Sequence, residues 1–195
     1  MSFYEKVKKY SFIITLLTKI IKIFPKLILN LIWSFFDSSE SKIAILYRYI
    51  YISKYCKSIG ENVFIGKYVN LKNIENLTLG SNISIHSFNY LDAYGGISIG
   101  DNVSIANHCT IISSDHTWED PNLPIKYNEV LKKPIVIQED VWVAAGCRIL
   151  GDVIISNRTV IGAGAVVNKN LKANSLYVGV PARKIKNLNE GKSNE

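Results

Sequence analysis

The chain of 195 residues is 48% hydrophobic and 20% charged, enough apolar surface for one core-forming domain plus an appendage and too much for a disordered chain. Its net charge of +7 is lopsided: residues 1–60 hold nine lysines and Arg48 against Glu5, Asp37 and Glu40, and residues 61–195 balance thirteen bases with thirteen acids. A basic excess confined to the first third points to an anionic surface met by the N-terminus and excludes a nucleic-acid groove spread over the domain.

From Phe12 to Trp33 the chain is rich in Ile, Leu and Phe, about the length of a membrane span. Lys19, Lys22 and Lys26 argue against a span. At 100° per residue they share one stripe with Thr15, Thr18 and Asn30, leaving a wide apolar remainder. Such a helix suits a membrane interface, with lysines reaching the headgroups; packing on protein is the alternative. Pro25 should kink or end it. Ser38 to Ser41 reads as a loop or N-cap before a second helix over 42–53. No cleavable leader is apparent.

Beyond it a short phrase recurs at 59–66, 79–86, 99–106, 137–144 and 155–162, for example Ile99-Gly100-Asp101-Asn102-Val103-Ser104-Ile105-Ala106. The starts lie 20, 20, 38 and 18 residues apart, so one insertion separates two near-uniform arrays. An aliphatic residue returns every sixth position, at Ile99, Ile105 and Ile111 and again from Ile137 through Val143, Ile149, Ile155 and Ile161 to Val167. Small or β-branched residues such as Cys109, Val141, Cys147, Thr159 and Ala165 follow four places later. A period of six is neither helical nor that of a simple strand. It fits short strands joined by tight corners, three to a coil, with coils stacked at about 4.8 Å. The aliphatic residues then point into a narrow prism, and Gly or Asn turns the corners. One coil cannot bury its own core, so stacking is obligatory. Cys109 and Cys147 fall in the small inward slots. With Cys56 they form no metal or disulfide framework, and a reducing compartment is implied.

Four motifs carry a family resemblance: Ser114-Asp115-His116-Thr117-Trp118, Glu139 to Gly146 (Glu-Asp-Val-Trp-Val-Ala-Ala-Gly), Ile161 to Lys169 (Ile-Gly-Ala-Gly-Ala-Val-Val-Asn-Lys) and Gly179-Val180-Pro181-Ala182-Arg183. In this order they resemble the hexapeptide-repeat acetyltransferases, in the branch of galactoside and maltose O-acetyltransferases and polysaccharide-pathway sugar O-acetyltransferases. The resemblance implies an all-β fold, a left-handed parallel β-helix of hexapeptide repeats with an N-terminal helical segment and one extended loop. Handedness comes from the resemblance alone, since parallel connections are right-handed in roughly 98% of cases. Three parts are expected: a basic amphipathic helical segment at 1–57, the β-helix at 58–186 with its loop at 117–134, and a polar tail at 187–195.

Acetyl transfer to a hydroxyl needs a base for the proton and donors for the developing oxyanion. A histidine at the break of the repeat suits the base, and the resemblance places it at His116. Asp115 either orients that ring or shapes the turn. The other histidines, His86 and His108, read as exposed strand or corner residues. Their spacings also fail the pair five residues apart of the zinc-bound carbonic anhydrase relatives, so no metal is expected. By the resemblance Asn89 holds the acceptor sugar, and the nearby Asp92 is a carboxylate able to accept a sugar hydroxyl; corner chemistry is the other reading of both. Trp142 lines the pocket or packs on a neighbour.

For acetyl-coenzyme A, the resemblance lays the pantetheine arm along small residues at Ala144, Ala145, Gly162 and Ala163, followed by Asn168. Lys169 and Arg183 would meet its phosphates, or remain solvated charges. Because that groove lies between chains in the family, a homotrimer is implied, with the loop closing a neighbour's site. The expectation is an O-acetyltransferase acting on a surface glycan or its lipid-linked precursor. It would work in the cytoplasm, peripheral to the inner face of the membrane through residues 1–35. The alternatives are N-acetylation of an amino sugar and a non-catalytic trimeric membrane-associated scaffold.

Overall fold

A computed structural model describes residues 16–189 apart from Thr18 and Lys22. The readings made for residues 1–15, for Thr18 and Lys22 in the lysine stripe, and for the tail beyond Asn189 lie outside the described residues. Pro25 occupies the N-cap of α1 (Lys26–Phe36). The residue before a proline avoids helical geometry, so the apolar run is divided at this point. Ser41 caps α2 (Lys42–Tyr55), its hydroxyl accepting from the Ala44 amide at 3.2 Å. Within the described residues, no helix is long and apolar enough to cross a membrane.

Each repeat is one coil of a three-faced prism. The first coil runs through β1 (Ser58–Ile59), β2 (Phe64–Ile65) and β3 (Asn70–Lys72); the second through β4 (Leu77–Leu79), β5 (Ser84–Ile85) and β6 (Tyr90–Asp92); the third through β7 (Ile97–Ile99), β8 (Ser104–Ile105) and β9 (Thr110–Ile112). A hairpin of β10 (Ser114–His116) and β11 (Val130–Lys132) interrupts the winding. The fourth coil is β12 (Ile135–Ile137), β13 (Val141–Val143) and β14 (Arg148–Ile149), and the fifth β15 (Val153–Ile155), β16 (Thr159–Ile161) and β17 (Val166–Val167). Strands of successive coils pair in parallel on each face. At the top, β18 (Ser175–Val178) stacks on β16, and β19 (Arg183–Asn187) turns back antiparallel beside it.

The insertion leaves the frame intact: Ile137 stacks on Ile99 and Ile149 on Ile111. Every aliphatic residue of the six-residue series is buried, and so are Cys109, Val141, Cys147, Thr159 and Ala165 beside them. Hydrogen bonding with Cys147 and then burial raise the pKa of Cys109, while burial, opposed by a backbone hydrogen bond, pushes the Cys56 thiol up to about 11.

The corners depart from expectation. One edge is turned by Asn62, Asn82 and Asn102 in the left-handed region, a conformation asparagine tolerates better than most residues, and their amides bond coil to coil at 3.0 Å. The next edge is turned in the same conformation by Tyr68, Phe88 and His108, which are not turn residues. Their rings stack, Tyr68 on Phe88 at 5.1 Å and Phe88 on His108 at 4.9 Å. Ring stacking and the hydrogen bonds of the coil hold a backbone that bulky side chains resist.

Below the first coil the open end of the prism is closed by α2. Arg48, 1% exposed, donates from Nε to the Ile65 carbonyl at 2.8 Å and from its Nη atoms to the carbonyls of Phe36 and Ser39 at 2.9 and 3.0 Å. One guanidinium thus joins the first coil, α2 and the end of α1. Burial lowers its pKa, and the nearby carboxylates of Asp37 and Glu40 raise it again.

Candidate functional site

His116 is carried by β10, where the chain leaves the third coil. The hairpin is rooted by Ser113, fully buried, whose hydroxyl donates to the Asp92 carbonyl at 2.8 Å and accepts from the Gly95 amide at 2.9 Å. Lys133 closes the base, donating its amide to the Ser113 carbonyl at 2.8 Å. The insertion is therefore a two-stranded ribbon at its root, not the plain loop expected. At its far end Asn128 gathers the chain, donating to the carbonyls of Asp120 and Leu123 and accepting from the Asp120 amide at 3.0 Å. His116 stands opposite Val130 and is exposed.

Successive side chains on a strand face opposite ways, and Asp115 accordingly turns from His116 toward Lys133, 3.7 Å away and partly exposed. The imidazole makes no hydrogen bond to another described residue. His116 is thus an exposed titratable group on a rooted strand, with a freely accessible ring.

Asp92 ends β6 in register with Ile112, one coil below the root of His116. Its Oδ1 accepts from Asn73 Nδ2 at 2.7 Å and from the Tyr94 amide at 3.1 Å, leaving Oδ2 open to a further donor. Asn89 lies on the other side of that face and is 1% exposed. Its Nδ2 donates to the His86 carbonyl and its Oδ1 accepts from the Cys109 amide, both at 2.7 Å. With both ends of the amide engaged inside the turn, Asn89 takes the corner role, one of its two readings in the sequence.

The small residues gather at the edge above His108. Ala144 is buried, Ala145 half-buried and Ala163 exposed. Gly162 sits under Val178: a Cβ there would meet Val178 Cγ1 at 2.7 Å. Packing thus requires this glycine. Gly146 and Gly164, passed over in the sequence, continue the column of Tyr68, Phe88 and His108 with positive φ, and a Cβ at Gly164 would meet nothing within 4 Å. The aromatic edge therefore becomes bare in the upper two coils. Arg148 lies alongside and donates to the carbonyls of His108 and Gly146 at 2.8 and 2.9 Å. Asn168, Lys169 and Arg183 are exposed near the top. Trp142 stands out from β13 between Ser104 and Val160, 52% exposed, on a different face from His116.

One chain thus brings Asp92 and His116 to the same edge of the prism and puts Ala145 and Ala163 on another. Among the described residues, no group of His, Cys, Asp and Glu is placed to hold a metal ion.

The model of a family described as bacterial transferase hexapeptide (six repeats) matches residues 134–169. A galactoside O-acetyltransferase of Lactococcus lactis is 30% identical over 141 residues, 71% of this chain and 67% of that protein. The chain belongs to the hexapeptide-repeat acetyltransferase family. A probable acetyltransferase of Mycobacterium tuberculosis is 34% identical over 130 residues, 66% of this chain but 43% of that protein, so the chain spans less than half of this relative. Among solved structures, galactoside acetyltransferase in complex with coenzyme A superposes with a TM-score of 0.74 at 27% identity, covering 85% of this chain and 81% of the other.

Within this hexapeptide-repeat frame the sequence missed Ser113, Gly146, Gly164 and Arg148. The two glycines carried a signal, since each follows an alanine at the same point of successive coils. Ser113 and Arg148 carried none, because Asp92 and His108, which they bond, lie a full coil earlier in the chain.

Proposed function

We propose that the chain is an acetyl-coenzyme A-dependent O-acetyltransferase acting on a sugar hydroxyl of a surface polysaccharide or its lipid-linked precursor. The observation that carries the reading is His116, exposed on a strand rooted in the coil of a hexapeptide-repeat protein. As general base, the imidazole takes the hydroxyl proton while the oxygen attacks the thioester carbonyl. The C–S bond then breaks, and the proton passes to the departing thiolate. No acyl-enzyme is required. The bare edge at Ala145, Gly146, Ala163 and Gly164 suits an extended pantetheine arm, with Lys169 and Arg183 for its phosphates. Since that edge and the His116 edge are separate in one chain, a complete site joins the His116 edge of one copy to the small-residue edge of the next, in a homotrimer.

The face of α1 turned from the protein fits the membrane part of the reading. Leu27, Leu31 and Phe35 are 72%, 64% and 78% exposed, and they follow one another at helical spacing. In the basic N-terminal third of the sequence, this apolar stripe suits an anionic bilayer surface, where the enzyme would meet a lipid-linked acceptor in the cytoplasm.

The deciding measurement is thiol release from acetyl-coenzyme A across a panel of sugar acceptors. His116→Ala should lower kcat by about 10²–10⁴-fold with an unchanged unfolding profile; wild-type turnover in that variant would sink the mechanism. A product stable to mild alkali would be an amide and would overturn O-transfer. Leu31→Ser with Phe35→Ser should reduce co-sedimentation with vesicles containing phosphatidylglycerol, and unchanged partition would remove the membrane contact.

A further inference from the structure

A groove of about 720 Å³ runs between α1 and the first coil, well away from the small-residue edge. Its walls have a particular chemistry. Three aromatic rings line it: Trp33 and Tyr51, with centroids 4.8 Å apart, and Tyr68, the exposed lowest ring of the corner stack. The lining also includes Asn30, Asp37, Asn70 and Glu75. The Tyr51 hydroxyl donates to Asn30 Oδ1 at 2.7 Å, which fixes the amide with its Nδ2 as a free donor. The side chains of Asp37, Asn70 and Glu75 make no hydrogen bond to another described residue. Flat apolar rings beside unengaged amides and carboxylates match the two surfaces of a pyranose, the C–H face and the rim of hydroxyls. The charge narrows the ligand further. Lys26 is the one basic residue of the lining, against Asp37 and Glu75, so a phosphate is disfavoured and a neutral sugar ring is not.

The groove also leads somewhere. Its wall at Asn73 bonds directly to Asp92, and Asp92 pairs with the strand that continues to Ser113 and His116. The rise is two coils, about 10 Å at the spacing of paired strands, along one edge of the prism. We infer that the groove is a second sugar subsite, which holds a neutral residue of an oligosaccharide acceptor while another residue of the same glycan presents its hydroxyl to His116. This rests on the transferase reading above for the role of His116, and makes the acceptor an oligosaccharide in place of a free monosaccharide. The groove side of α1 carries Asn30 and Trp33, and its neighbouring side carries the exposed Leu27, Leu31 and Phe35. A glycan in the groove therefore lies beside the surface assigned to the membrane.

The test uses the full chain carrying His116→Ala, so that binding is read without turnover. Saturation-transfer NMR is recorded with maltotriose and a galactose trisaccharide, and with glucose and galactose as monosaccharide controls. The trisaccharides should show transfer that is lost in Trp33→Ala, retained in Trp33→Phe and weakened in Asn70→Ala and Glu75→Gln. Those last two alter exposed side chains of the coil surface and keep the fold testable if Trp33→Ala loosens α1. In the His116-containing enzyme, the preference for trisaccharide over monosaccharide in kcat/KM should fall about tenfold for Glu75→Gln, the worth of a well-formed hydrogen bond. Absence of transfer from every trisaccharide, or transfer indifferent to all four substitutions, overturns the subsite. If transfer is seen and depends on Trp33 while the wild-type chain releases no thiol with any acceptor, the groove stands and the transferase reading falls.

Discussion

The coils and the helical base are stabilised by opposite means. In the coils, each residue meets its own counterpart one turn above and below: Ile99 meets Ile137, Ile111 meets Ile149, and Asn62, Asn82 and Asn102 bond in a row. No single contact is special, and the same solution is repeated until it buries a continuous core. In the base, nothing repeats. Arg48, Tyr47 and Tyr51 each make contacts of their own, Arg48 to Ile65, Phe36 and Ser39, Tyr47 to Leu29 and Tyr51 to Asn30. The lesson is where robustness and specialisation lie: a stack can spread a defect over similar neighbours, whereas the base depends on individual residues and can for that reason evolve a groove.

Mutations can break or sharpen this contrast. The largest effect is expected at Arg48. Arg48→Met removes three hydrogen bonds from a charged donor, among them the one to the buried Ile65 carbonyl, which should cost about 4 kcal/mol in denaturant unfolding. An effect near zero would mean that α2 merely rests on the prism. Next comes the coil interior: Ile111→Ala empties a fully buried site whose neighbours above and below are equally fixed, for about 3 kcal/mol. A loss much greater than that of Arg48→Met would reverse the contrast. The smallest is Asn82→Ala on the asparagine edge, about 1 kcal/mol, because it breaks two exposed side-chain hydrogen bonds, to Asn62 and Asn102, and places alanine at positive φ. Asn82→Gly should regain part of that loss, since glycine accepts the conformation and only the amide bonds are missing.

The two exposed edges repeat the lesson on a smaller scale. His108 was read as an exposed strand or corner residue and Tyr68 and Phe88 drew no reading, yet all three turn the chain where asparagine or glycine was expected. Local propensity failed there because stacking between coils outweighs it, and such stacking is visible only once the coils are in register. Gly162 shows the converse: the family resemblance implied a place in the cofactor groove, and Val178 gives it a packing reason of its own.

Much of the site was legible for the same reason as the coils. His116 was visible because it stands where a strict period stops, and Asp92 because it is a carboxylate close to Asn89 in the chain. Asn89 was ambiguous in the sequence; burial and two internal hydrogen bonds now supply its corner role. Ser113 and the ribbon it roots could not be read, since a serine in a polar stretch gives no sign of being buried. The groove was equally hidden. Its residues are drawn from α1, α2 and the first coil, and nothing in the spacing of Asn30, Trp33, Asn70 and Glu75 announces that they meet.

What the sequence determined by itself is the prism: a six-residue period tells each residue which face it occupies and which partner stacks on it, because neighbours along the axis are fixed by the repeat length alone. What the tertiary structure decided is everything that breaks translation along that axis. Arg48 sealing the first coil, the hairpin that holds out His116 and the groove under α1 each join residues whose separation follows no period. Only folding brings such residues together, through burial and hydrogen bonds that no local pattern encodes.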